Sequence, residues 1–187
     1  MTDTRYESRS VSQIISVSAL SGLVGGVVMI PFFLIPGIFE GIAHIMTLFE
    51  VMGNAFTGAT DNTAIVVGIT SHLVTSVLVG IIFGIILNKI KRFQLTSVRK
   101  SVGVGLIVGV VVFVTLNLPI FGVFLPPFLI QAAAHTYHVT TQQATTYYQN
   151  EVISKNIGFG FIQNLAYGIV LSLAARALTN RSMSHQR

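Results

Sequence analysis

The chain has 187 residues, of which 52% are hydrophobic and only 9% are charged, and its formal net charge is +5. Soluble domains usually carry about 25% charged residues, so this composition excludes an ordinary soluble globular fold. Because the basic residues flank apolar runs and do not form one face, they indicate membrane lipids as partners and exclude a nucleic-acid interface.

Four apolar stretches are long enough to cross a membrane as helices, for which about 20 residues are required. They cover about residues 14–35, 63–87, 102–125 and 156–178. The length of the chain suits one bundle, so residues 1–187 are predicted to form a single four-helix transmembrane domain. The predicted fold class is therefore an all-α polytopic membrane protein whose four transmembrane helices form two hairpins.

Residues that favour helix ends mark the limits of these spans. Asp61 and Asn62 are good N-cap types and precede the second span. Pro36 is expected to end the first helix, and Pro126 and Pro127 the third, because a proline disfavours helical geometry in the residue before it.

The basic residues are confined to alternate connections. Ten of the eleven lie before the first span, between the second and third spans, or at the end of the fourth span and after it, and Lys155 is the exception. The opposite connections hold four acids, Glu40, Glu50, Asp61 and Glu151. Because cytoplasmic connections are enriched in lysine and arginine, both termini are predicted to be cytoplasmic and the protein to lie in the plasma membrane.

The first outer connection, about residues 36–62, has the pattern of an amphipathic helix. Its apolar residues recur at helical spacing, at Ile38, Ile42, Ile45, Phe49 and Met52. Glu40, His44 and Thr47 fall on another face. The pattern predicts a helix that lies in the membrane interface.

The two halves of the chain resemble each other weakly. At an offset of 83 residues, the residues that align with Gly22, Gly26 and Pro36 are Gly105, Gly109 and Pro119. At a different offset, the residues that align with Gly68, His72 and Leu73 are Gly160, Asn164 and Leu165. The likeness indicates either a duplicated hairpin or the common composition of glycine-rich apolar helices, and both interpretations stay open.

Small residues recur four apart on three of the spans. They are Ser18, Gly22 and Gly26 on the first, Gly80 and Gly84 on the second, and Gly105 and Gly109 on the third. This spacing lets helix backbones approach closely, so these residues are predicted to form packing faces, within the chain or with another subunit. A glycine-lined pore is the alternative.

A few polar residues interrupt the apolar spans. His72 is the ionisable one, and Asn117, Gln163 and Asn164 are neutral. Hydrogen bonding within the helix bundle is one interpretation of this group. A ligand or proton-relay role is the other, because an ionisable residue inside a membrane span is a functional hypothesis by default.

Histidines on the predicted outer side suggest a metal site. His135 and His138 are three apart, and Glu40 and His44 are four apart, so each pair would share a face if it lay on a helix. Imidazole and carboxylate groups hold zinc or copper, so these four residues are candidate metal ligands. The second outer connection, about residues 126–155, is rich in Thr, Gln and Tyr and suits an ordinary solvated loop equally well.

No catalytic motif is present in the sequence. It has no phosphate loop, no H-E-x-x-H, no nucleophile elbow and no carboxylate pair within a span. Cysteine is absent, which excludes disulfides, thiolate metal sites and cysteine nucleophiles. We therefore expect no enzyme activity and no catalytic or cofactor-binding residue, and too few buried charges remain for a typical proton-coupled transporter.

Two segments, GLVGGVVMIPFFLIPGIFEGIAH and GITSHLVTSVLVGIIFG, carry a resemblance to small four-helix membrane proteins. In length, helix count and side-chain character the chain also resembles the accessory membrane subunits of archaeal ammonia monooxygenase, a copper enzyme complex. That resemblance implies a structural subunit beside a catalytic core formed by other chains. The expected function is therefore a non-catalytic membrane subunit or scaffold, and the alternatives are an outer-facing metal-binding protein or a channel or carrier for a neutral solute.

Overall fold

The computed structural model describes residues 11–40, 47–59, 61–90 and 93–184, and within this part the chain is helical and has no strand. The α-helices are α1 (Val11–Glu40), α2 (Thr47–Thr57), α3 (Asn62–Lys89), α4 (Val98–Val112), α5 (Pro126–Tyr137), α6 (Thr141–Tyr147) and α7 (Ile153–Ser184). Three π-helical segments accompany them: π1 (Phe113–Asn117), π2 (Ile120–Phe124) and π3 (Tyr148–Val152). The all-α prediction is confirmed.

Four of the helical stretches are long and apolar enough to cross a membrane. They cover Val11–Phe33, Asn62–Lys89, Val98–Phe124 and Ile157–Asn180. Only 17% to 33% of the most apolar part of each stretch is buried within the chain. Large apolar side chains such as Val66, Val123 and Ile162 are more than 60% exposed. Such a surface is stable against lipid or other apolar helices and not in water, which confirms the multi-pass membrane class.

The first helix is longer than the sequence predicts. We expected Pro36 to end it, but α1 continues through that residue to Glu40, so the prediction is wrong. Proline inside a helix removes one backbone donor and is tolerated in membrane helices where another group binds the freed carbonyl. Such a group is present on α7.

The predicted amphipathic segment of the first outer connection contains α2. Helix α2 packs directly on α3, because the backbone of Gly53 touches Ala64 and the backbone of Gly68 touches Phe49. The Phe49 side chain is 1% exposed. Glycine at both contact points allows the two helix backbones to approach without intervening side chains.

The N-terminus of α3 is capped by the residue that the sequence predicts. The Asp61 carboxylate accepts a hydrogen bond of 2.9 Å from the backbone N–H of Thr63. The hydrogen bonds from the Thr63 side chain and backbone hold the pKa of Asp61 below its usual value. An acidic N-cap also interacts favourably with the positive end of the helix dipole.

The third span is interrupted by π-helix on both sides of a proline. Segment π1 precedes Pro119 and π2 follows it. A proline ring clashes with the carbonyl four residues earlier in a regular α-helix, and the wider π turn relieves that clash. The interruption places Asn117 at the end of π1, inside a membrane-spanning stretch.

The second outer connection is helical and not the loop that its composition suggests. Thr140 begins α6 with a capping box, in which its side chain accepts from the Gln143 backbone and the Gln143 side chain accepts from the Thr140 backbone. Further on, the Tyr148 hydroxyl donates to the Phe121 carbonyl over 3.0 Å. Burial raises the pKa of the Tyr148 phenol.

The helices form two compact units. The first unit comprises Met1–Met29, Leu73–Gly109 and Leu165–Arg187, and the second comprises Ile30–His72 and Val110–Asn164. The core of the first unit is rich in serine, since Ser21, Ser101 and Ser172 are completely buried. The second unit has an apolar core that includes Ala64 and Leu125.

Candidate functional site

In the first unit, α1 and α3 meet through the small residues that the sequence singles out. The contacts join Ser18 to Gly84, Gly22 to Gly80, and Gly26 to Ser76. A methyl group added at Gly22 would lie on the carbonyl oxygen of Ser76 and 3.0 Å from the Cα of Gly80. The two helices therefore pack backbone against backbone, in antiparallel register.

Helices α4 and α7 meet in the same way within the first unit. A methyl group at Gly105 would lie 2.6 Å from both the Gly168 carbonyl and the Ser172 hydroxyl, and one at Gly168 would lie 2.6 Å from the Gly109 nitrogen. The Ser172 hydroxyl donates to the Ser101 carbonyl over 2.8 Å. The predicted packing glycines of α4 thus lie against a helix of their own chain.

Tyr167 is a contact residue that the sequence analysis missed. Its hydroxyl donates to the Ser76 carbonyl over 2.9 Å, and its ring covers Gly25, whose added methyl group would lie 2.9 Å from the ring. A tyrosine inside an apolar span needs such an acceptor. Its isolated position in the sequence carries no signal of the partner.

In the second unit, polar groups gather beside π1. Gly160 of α7 packs against the Asn117 carboxamide, so that an added methyl group would lie 2.7 Å from the Asn117 oxygen. The Asn164 amide donates to the Gly160 carbonyl over 2.7 Å. The Asn117 side-chain oxygen is buried and accepts no hydrogen bond within the described part of the chain. A buried acceptor of this kind is costly and marks a place where a donor could bind.

Gln163 supplies the donor that Pro36 removes from α1. In an α-helix the Phe32 carbonyl accepts from the N–H of residue 36, and proline has none. The Gln163 amide donates to the Phe32 carbonyl over 2.8 Å, and the Gln163 side chain is 9% exposed. This bond explains how α1 extends past Pro36, and it joins α1 to α7 within the second unit.

His72 lies in an aromatic cluster of the second unit. Its ring meets Phe33 edge to face, with centroids 5.0 Å apart, and Phe49 with centroids 6.0 Å apart. The two phenylalanine rings are themselves 5.5 Å apart. His72 therefore joins α1, α2 and α3 by packing.

Of the four predicted metal ligands, the structure describes the side chains of His135 and His138. His135 is exposed near the end of α5, and His138 follows that helix in the left-handed conformation with φ 51°. Helical spacing therefore does not relate the two imidazoles. The Glu40 side chain and the whole of His44 lie outside what the structure describes, and among the described residues no group of three potential ligands occurs.

The amide side chains of the second unit are neutral hydrogen-bonding groups. Amide groups of Asn117, Gln163 and Asn164 contact backbone or lie beside it, and none of these three side chains is a nucleophile or a strong base. Such groups can fix helix register, and the Asn117 oxygen can accept from a small neutral donor. Comparisons with family models, with curated proteins and with solved structures found no match to this chain.

Proposed function

We propose that the protein is a non-catalytic integral membrane subunit or scaffold that packs against other membrane proteins in a larger complex. The observation that carries the proposal is the presence of glycines on the exposed faces of the spans. Gly103, Gly122 and Gly158 are exposed, and a methyl group added at any of them meets no other element of the described chain within 4 Å. A glycine on the surface of a span has no side chain, so a helix of another protein can approach its backbone closely.

The contrast with the other span glycines supports this role. Gly22, Gly80, Gly105 and Gly168 all meet another helix of the same chain. Because glycine weakens a helix by about 1 kcal/mol relative to alanine, an exposed glycine without a neighbour needs a different benefit. Contact with a second protein supplies that benefit.

The proposal includes an orientation and a location. Described cations such as Lys89 and Arg176 belong to the first unit, whereas the acids Glu50 and Asp61 belong to the second. This distribution supports a cytoplasmic position for the parts of the spans that carry Lys89 and Arg176, in the plasma membrane. By the resemblance stated above, the specific form of the proposal is an accessory subunit of a copper-dependent ammonia monooxygenase.

Purification in a gentle detergent, followed by identification of co-purifying chains, tests the subunit proposal. We expect wild-type protein to retain membrane-protein partners, and the Gly122→Leu and Gly158→Leu variants to lose them several-fold, because leucine fills the open places. Val123→Leu is the matched control, since Val123 is already a large exposed side chain. Wild-type protein that migrates alone as a monomer would contradict the proposal.

A carrier or channel for a small neutral solute is the second candidate, and the buried Asn117 oxygen favours it. If a solute donates to that oxygen during transport, Asn117→Leu should reduce flux into liposomes about tenfold or more, the effect of about 1.4 kcal/mol. The fold should survive, because replacing an unpaired buried acceptor by an apolar group is neutral or stabilising. Flux equal to that of protein-free liposomes would exclude this candidate.

A further inference from the structure

Four basic side chains that the structure describes in the first unit belong to three helices. Lys89 is the last residue of α3, Arg99 and Lys100 lie in the first turn of α4, and Arg176 belongs to α7. Lys89 and Arg99 are exposed, and Lys100 and Arg176 are partly exposed. Their charged groups are therefore accessible to a ligand.

Helix register brings these residues to one level. The bond from Ser172 to Ser101 aligns α7 with α4, and the two helices are antiparallel. With a rise of 1.5 Å per residue, Arg176 lies about 6 Å beyond Ser172, and Arg99 lies about 3 Å beyond Ser101 in the same direction. The two arginines are therefore separated by only about 3 Å along the helix axes.

Lys89 reaches the same level through the contact of α3 with α7. A cavity of about 30 Å³ is lined by Leu87 and Asn88 of α3, by Ala175 and Thr179 of α7, and by residues of α1. Because Lys89 follows Asn88 directly, its backbone lies beside the turn of α7 that carries residue 176. Three helices thus contribute cations to one part of the first unit.

Among the described residues, these cations have no anionic partner in their own unit. The described residues of the first unit contain no aspartate and no glutamate. The N-terminus of α4 adds the positive end of a helix dipole at the same place. In the described part of this unit, four cations and a helix dipole without a carboxylate favour an anion from outside the chain.

Exposed apolar side chains adjoin this basic cluster. Ile86 and Ile90 flank Lys89 and are 41% and 42% exposed, and Val98 precedes Arg99 and is 53% exposed. A free phosphate would use the cations alone, whereas an amphiphile would use both surfaces. We propose that Lys89, Arg99, Lys100 and Arg176 bind the headgroup of an anionic phospholipid, whose acyl chains cover these apolar residues.

Native mass spectrometry of the delipidated full-length protein tests this site. Phosphatidylglycerol and phosphatidylcholine with the same acyl chains are added separately, and retained adducts are counted. We expect phosphatidylglycerol to bind at about a hundredfold lower concentration, since each basic residue near an anionic surface contributes about fivefold. The Arg99→Gln, Lys100→Gln, Arg176→Gln triple variant should lose most of that preference.

Lys155→Gln is the matched control, because it removes one charge from the second unit. The control should retain the wild-type lipid preference, and Arg99→Gln alone should lose part of it in case the triple variant does not fold. Equal retention of the two lipids, or an equal loss in the control, would overturn the proposal. Displacement of the lipid by millimolar inorganic phosphate would assign the site to free phosphate and also overturn it.

Discussion

Gly105→Ala is expected to destabilise the protein by about 3 kcal/mol, whereas Gly103→Ala on the same helix is expected to leave stability unchanged or slightly higher. At Gly105 the added methyl group lies 2.6 Å from the Gly168 carbonyl and the Ser172 hydroxyl, and the backbone of α7 cannot move without separating from α4. At Gly103 the methyl group meets no neighbouring element. At position 103 alanine is a better helix former than glycine.

The midpoint of thermal unfolding measures this difference. A fluorescent fusion of each variant is heated to a series of temperatures, and size-exclusion chromatography gives the fraction that stays folded. Tryptophan and cysteine are absent from the chain, so neither tryptophan fluorescence nor thiol-reactive dyes can report the transition. Gly105→Ala should lower the midpoint by several degrees relative to Gly103→Ala. Equal midpoints for the two variants would show that α4 and α7 do not pack through Gly105.

The positions of the spans could be predicted from the sequence because membrane thickness sets the length of an apolar helix. The predicted second span, 63–87, differs from α3 by only one residue at its start and two at its end. The end of α1 could not be predicted in this way. Pro36 is a local signal for a helix end, and the bond that offsets it comes from Gln163, more than 100 residues away.

The small-residue contacts were predictable in part. Four-residue spacing identified Gly22, Gly80 and Gly105, and the same rule extends to Ser76 and to the pair Gly168 and Ser172, which the sequence analysis did not include. The partners themselves depend on helix register. No sequence pattern shows that the Tyr167 hydroxyl meets Ser76 and not another carbonyl.

The contacts of the first unit bear on the weak likeness between the two halves. Gly22 contacts the backbones of Ser76 and Gly80. In the alignment of the two halves, Gly22 is equivalent to Gly105 at an offset of 83 residues. At an offset of 92 residues, Ser76 and Gly80 are equivalent to Gly168 and Ser172. These are the residues that meet in the second hairpin. Two helix pairs therefore use equivalent positions for equivalent contacts, which favours a duplicated hairpin over shared composition alone.

The polar residues of the candidate site could also be predicted only in part. Asn117, Gln163 and Asn164 stand out in the sequence as polar residues within apolar spans, and all three lie in the second unit. Their roles differ because the register of the helices places each side chain beside a different group, and the sequence does not give that register. Gln163 and Asn164 each reach a backbone carbonyl, while the Asn117 oxygen is packed against Gly160 and accepts no hydrogen bond from the described residues.

Gln163→Leu is expected to destabilise the wild-type protein by about 1–2 kcal/mol, because the Phe32 carbonyl then lacks a donor in an apolar surrounding. The same change should cost little in a Pro36→Ala background, since alanine restores the backbone N–H that binds this carbonyl in a regular helix. The double-mutant cycle should therefore give a coupling energy of about 1 kcal/mol between Gln163 and Pro36. Steric trapping with two engineered, biotinylated cysteines measures these free energies of unfolding, and the cysteine-free chain accepts the labels without interference.

Pro31→Ala provides the matched background for this cycle. Pro31 also lies within α1, but the carbonyl four residues before it belongs to Val27 and not to Phe32. Gln163→Leu should therefore keep its full cost of about 1–2 kcal/mol when Pro31 is replaced. If the cost falls equally in both proline backgrounds, Gln163 acts through general packing of α1 and not by replacing the donor lost at Pro36. A selective loss in the Pro36→Ala background would instead show that one amide on α7 allows the first helix to continue past its proline.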